Sequence, residues 1–196
     1  MMTKKRSFDA PRVNMKEILR YAGGGDEVSV RDCLAEAEGA LTYNVCFAET
    51  AISVKDDTVE LGFASVRSRG LAKNLAGCDS AVIFAATVGV GIDRLIGKYN
   101  RLSPSRAVLL QAIGSERVES LCDAFVAEIK SELDAARVGT SFRPRFSPGY
   151  GDLSLELQRD VFRFLDCPRQ IGITLGDSLL MSPSKSVTAI IGVTDK

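Results

Sequence analysis

The chain reads as an α+β domain, with a mostly antiparallel sheet, one long helix and flanking helices. Three observations predict this. Period-two alternation marks strands at Tyr43-Val45-Phe47 and Val59-Leu61-Phe63, an uninterrupted apolar run fills positions 81–86, and a helical stripe persists from Ser103 to Gly139.

The elements follow in order. Residues 1–13 are polar and contain Pro11, which predicts a flexible N-terminal arm, with a single domain over 14–196. Asn14 can cap a short helix carrying Ile18, Leu19 and Tyr21, which Gly23-Gly24-Gly25 ends. Ser29 and Asp32 resemble a capping box ahead of a second helix, striped by Val30, Cys33, Leu34, Ala37 and Leu41. The turn-like Lys55-Asp56-Asp57 then predicts that the two alternating strands form a hairpin. Residues 69–76 read as helix, with Gly77 as the stop, and the apolar run at 81–86 as a central strand covered on both faces.

Ser103-Pro104 places a cap residue before a proline suited to the first helical position, and Gly114 is a place where the long helix bends or splits. From Thr140 to Asp152 periodicity stops and prolines, glycines and arginines crowd into an irregular loop. Ser154 opens a helix striped by Leu157, Val161, Phe164 and Leu165, which Cys167-Pro168 ends. The tail carries β-like segments near 171–175, 178–181 and 187–193, the last two joined by Ser182-Pro183-Ser184-Lys185.

Composition narrows the chemistry. Lys plus Arg total 25 and Asp plus Glu total 25, so no electrostatic excess exists to hold nucleic acid or an anionic membrane. The chain has no histidine, which excludes Ser-His-Asp and Cys-His catalysis and His-ligated metal sites. Its five cysteines are scattered without a C-x-x-C pair, as expected of small buried hydrophobes in a reducing cytoplasm. The basic N-terminus is not followed by an apolar signal core, so a cytoplasmic location is expected.

Two loops present themselves for binding. Gly89-Val90-Gly91 lies between the apolar strand and a predicted helix, where backbone amides can cradle a phosphate. A plain strand-to-helix turn is the better reading, because Arg94 stands where the third glycine of G-x-G-x-x-G belongs. The second is Arg145-Phe146-Ser147-Pro148-Gly149-Tyr150. Arg145 supplies a planar fork for a carboxylate, Pro148 fixes one torsion and Gly149 permits a positive one, although the residues of this loop alone read better as an ordinary surface turn with a solvated arginine. Glu116, Glu119 and Asp123 recur at helical spacing on the long helix, with Asp123 set in an apolar stretch where an acid either reaches the rim or meets a cation. Arg145 and Asp123 together suit the carboxylate and amine of an amino acid.

The loop resembles the R-x-[AS]-P-G-Y motif of the activation domain of cobalamin-dependent methionine synthase. Ile171-Gly172, Leu175, Ser178, Met181, Pro183, Ser186 and Val187 match that family's I-G-x-x-L-x-x-S-x-x-M-x-P-x-x-S-V pattern in register. The likeness covers roughly residues 115–193, and the upstream part is more similar to short, stand-alone activation subunits.

The resemblance implies an activation-domain fold and S-adenosylmethionine as cofactor. Arg145 is then expected on the methionyl carboxylate and Asp123 on the amine. Ser147, Pro148, Gly149 and Tyr150 form the turn whose backbone holds the adenosyl part, and neither a catalytic side chain nor a metal ligand is implied. In the family, an inert cob(II)alamin is reduced by a flavodoxin-type donor and methylated by the sulfonium. The resemblance thus implies a subunit rather than a complete enzyme, serving a corrinoid-binding methionine synthase that lacks its own activation domain and carries the cobalamin. A retained fold that only docks on a corrinoid protein is the alternative. The chain departs from the pattern in its N-terminal acid, its C-terminal aromatic residue, and Gly151-Asp152 in place of a proline.

Overall fold

The apolar run at 81–86 forms the middle of a five-stranded sheet, buried on both faces. The computed structural model describes residues 2–137 and 139–194. In chain order the first elements are β1 (Lys4–Phe8), α1 (Met15–Ala22), α2 (Glu27–Glu38), β2 (Tyr43–Ala51), β3 (Ser53–Lys55), β4 (Thr58–Glu60) and β5 (Ser65–Arg67). Next come α3 (Arg69–Asn74), β6 (Ser80–Thr87), α4 (Gly91–Leu102) and α5 (Pro104–Ala136). The chain continues with β7 (Ser141–Phe142), α6 (Leu157–Leu165), α7 (Cys167–Ile171), β8 (Thr174–Leu175), β9 (Met181–Ser182) and β10 (Ser186–Thr194). The fold is α+β, and its main sheet runs β1-β2-β6-β10-β7 with every pair antiparallel.

Alternation on β6 explains the two layers. Val82, Phe84 and Ala86 face a core shared with α1, α2, α4 and α5, where Phe125 meets the rings of Phe8, Phe47 and Phe84. Ala81, Ile83 and Ala85 face a second core of α3, α6, α7 and the small β3-β4-β5 sheet. A strand apolar on both sides has no solvated face to offer, so helices cover it twice. The five cysteines are buried and unpaired. Among the described residues, no helix is long and apolar enough to cross a membrane.

The long helix is 33 residues, about 50 Å at the standard rise. It is not split at Gly114. Pro104 occupies its first turn as expected, but the Ser103 side chain makes no capping bond. Asn14 caps α1, whereas α2 is capped by Asp26, which accepts from the Ser29 amide at 2.8 Å; the capping-box reading of Ser29 was one turn late. Cys167-Pro168 ends one helix by opening the next, after Asp166 turns left-handed at φ 51°.

Two expectations are corrected. The predicted flexible arm contains β1, whose five residues pair with Tyr43–Phe47 while Arg6 bonds Glu128 and Glu132 on α5. Its Lys-Lys-Arg start hid an edge strand, where outward cations are ordinary. The predicted hairpin between 43–47 and 59–63 is absent. The Lys55-Asp56-Asp57 turn joins β3 to β4 instead, because β2, apolar on both faces, is claimed by β1 and β6.

Gly89-Val90-Gly91 is a packed turn. A Cβ on Gly91 would lie 2.0 Å from the Ala40 carbonyl oxygen, so the glycine is required by close approach of the chain that leads into β2. Gly91→Ala should therefore destabilise the protein by about 1–3 kcal/mol, read as a lower urea midpoint at unchanged m-value.

Candidate functional site

A charge in the middle of α5 organises one wall of the site. Arg117 is fully buried and Glu116 is 2% exposed. An isolated buried guanidinium is prohibitive, so the fold surrounds it with acceptors. Arg117 Nε and Nη2 donate to the two Glu116 oxygens at 2.6 and 2.8 Å. Its Nη1 and Nη2 donate to the carbonyls of Pro11 and Arg12 at 2.6 and 3.0 Å. Glu116 Oε1 also accepts from the Asn14 amide at 2.8 Å and the Ser120 hydroxyl at 2.7 Å. Residues 11–14 are thereby clamped against α5.

The loop between β7 and α6 reaches α5 beside the groove through Arg145. Phe146 exchanges two backbone bonds of 2.9 Å with Ile190 on β10, which extends the sheet edge by one bridge. The turn then closes on itself. The Tyr150 amide donates to Ser147 O at 3.0 Å and the Gly149 amide to Leu153 O at 2.9 Å, with Gly149 at φ +86°, a conformation glycine adopts without strain. Tyr150 meets Phe146 edge-on at 5.3 Å and is 68% exposed. Asp152 anchors the far end, accepting from Ser68 Oγ at 2.6 Å and from the Arg69 and Gly70 amides at 2.7 and 3.1 Å. The Ser68 hydroxyl and the Gly70 and Arg69 amides hold its carboxyl below the usual range.

Arg145 joins the two sides. Its Nη2 donates to Glu119 Oε2 at 3.1 Å and Asp123 Oδ1 at 2.8 Å, both on α5, and the side chain is 25% exposed. Neither Nε nor Nη1 bonds an oxygen among the described residues. Cys122 lies beside this guanidinium, and burial pushes its thiol pKa up to about 12, so it is a neutral wall rather than a nucleophile.

Two cavities meet here. A groove of about 620 Å³ runs between residues 11–16 and the Ser120, Asp123 and Ala124 face of α5. A smaller cavity of about 210 Å³ lies between α1 and α5, with Glu17, Glu116, Glu119 and Asp123 in its wall. They share Asn14, Ser120 and Asp123.

Of the residues expected from sequence, Asp123 lines the groove and Arg145 is in direct contact with it, although Arg145 itself lines neither cavity. Ser147, Pro148, Gly149 and Tyr150 stand on the adjoining turn and line neither cavity. The Gly149 and Tyr150 amides are used inside the turn, while the Pro148 and Gly149 carbonyls accept no bond among the described residues. Sequence reasoning did not assign the 11–16 wall or Glu119 to the site. The helical spacing of Glu116, Glu119 and Asp123 was the available signal, but the carbonyls that complete the Arg117 cradle come from over a hundred positions away.

Removing one member of the buried pair leaves the other uncompensated, so Glu116→Ala should cost about 3–5 kcal/mol in denaturant unfolding. Asp152 makes a pH-dependent contribution. Its folded pKa is depressed, so that contribution is complete above the ordinary value of 3.8 and is lost as pH falls through the lower, folded value. Asp152→Asn should lower the melting temperature at neutral pH and make stability fall less with acid than the wild type's below about pH 4.

No family model matches this chain, and no curated protein matches it in sequence. Its fold does match a solved structure described as the MetH reactivation domain bound to AdoHcy, with a TM-score of 0.70 at 12% sequence identity. The match covers 98% of this chain and 78% of that one, so the two share a fold along nearly all of the present sequence.

Proposed function

We propose that this chain binds S-adenosylmethionine in the groove between residues 11–16 and α5. In this reading it serves as an activation subunit for reductive methylation of cob(II)alamin carried by a separate corrinoid-binding methionine synthase. The observation that carries the reading is Arg145 seated on Glu119 and on Asp123, the latter lining the groove, in a fold shared with a reactivation domain bound to AdoHcy.

The residues present suit this ligand. A groove of about 620 Å³ is in the usual range for small-molecule sites. One guanidinium among two carboxylates leaves a net negative charge, which a cationic sulfonium with a zwitterionic amino-acid end offsets. Arg145 offers unused donors to the carboxylate, and Asp123 faces the groove where the ammonium would sit. On the adjoining turn, outside the groove lining, the Pro148 and Gly149 carbonyls accept no bond among the described residues. When bound, S-adenosylmethionine supplies an electrophilic methyl on a positively charged sulfur. The task left to this chain is to hold and orient it, which needs neither a general base nor a histidine. The cobalamin comes with the partner and the electron from a flavodoxin or similar donor, in a cytoplasm that keeps the buried thiols reduced.

A second reading, a docking protein that has lost ligand use, draws on one observation: Arg145 already has two carboxylate partners. Calorimetry separates the two. The wild type should bind S-adenosylmethionine, and Arg145→Ala should bind it at least about tenfold more weakly and slow reactivation of the corrinoid partner. Reactivation unchanged by Arg145→Ala favours docking alone. No heat of binding, even with the partner present, rejects the functional reading.

A further inference from the structure

We propose that Glu119 is a positioning residue, which retains the Arg145 guanidinium in place when a ligand ammonium draws Asp123 away from it. This rests on the functional reading above. The two acids share one nitrogen, Nη2, yet they are not equivalent. Asp123 lines both the groove and the smaller cavity, and its side chain is 73% exposed. Glu119 sits one helical turn earlier, lines only the smaller cavity and is 44% exposed. A cation entering the groove therefore meets Asp123, and Asp123 has room to turn toward it.

Once Asp123 turns, Arg145 needs another anion at its back. The other two carboxylates of the smaller cavity are committed elsewhere: Glu116 to Arg117, Asn14 and Ser120, and Glu17 to Arg20. Cys122 stays neutral beside the guanidinium. Glu119 is then the carboxylate that keeps the fork turned toward α5, with its remaining donors presented to the ligand carboxylate. The charges close: guanidinium, ammonium and sulfonium against Glu119, Asp123 and the ligand carboxylate.

The test compares two ligands, S-adenosylmethionine and its decarboxylated analogue, which lacks the group that Arg145 would hold. Wild type, Glu119→Gln and Glu119→Asp are titrated with each by calorimetry. Glu119→Gln should weaken S-adenosylmethionine about tenfold and leave the decarboxylated analogue unchanged, while Glu119→Asp retains most of the affinity. Wild-type affinity for S-adenosylmethionine in Glu119→Gln overturns the inference. So does an equal loss for both ligands, because a loosened loop would act on both alike. A wild type that binds neither ligand rejects the functional reading itself, and this inference with it.

Discussion

The site depends on a buried positive charge. Arg117 has no access to water, and Glu116 alone cannot satisfy five guanidinium donors. The missing acceptors are backbone carbonyls of Pro11 and Arg12, so the cost of burying the charge is offset only when residues 11–14 lie against α5. The groove wall is thus a by-product of desolvation. The segment, whose Val13 also packs against the core, is held in register by an ion pair at the centre of the long helix.

The loop on the other side is ordered by a different means. Its turn spends its own amides internally, and its ends are tied to the sheet by Phe146 and to the start of α3 by Asp152. Among the described residues, Arg145 is the side chain of this loop that bonds α5. The arrangement fits a protein whose work is orientation, because a positioned arginine and a shaped turn are what such work requires. The second motif of the tail is spent differently. Its Ser186 hydroxyl donates to the Pro183 carbonyl and hydrogen-bonds the Thr87 hydroxyl, and these bonds pin the start of β10 against the end of β6.

What could be read in advance follows from the range of each interaction. Asn14 as a cap, the stripe of α5, the two-sided apolar run of β6 and the kinked Arg145 loop are all local patterns, and each is present in the fold. β1 was missed because its polar residues gain their place only from a partner strand and from acids on α5. The hairpin was misassigned because alternation reports that a segment is a strand and says nothing about which strand lies beside it.

The amino-acid sequence by itself therefore determined the fold class, the long helix and the presence of a rigid, arginine-bearing turn, since periodicity and backbone-fixing residues act over a few positions. Only the tertiary structure decided that Arg145 meets Glu119 as well as Asp123, and that residues 11–14 build a wall across from Asp123. It also decided that the Gly89-Val90-Gly91 turn is a packing contact. Each of these joins groups far apart in the chain, where the deciding term is the cost of leaving a charge or a carbonyl without a partner once water is gone.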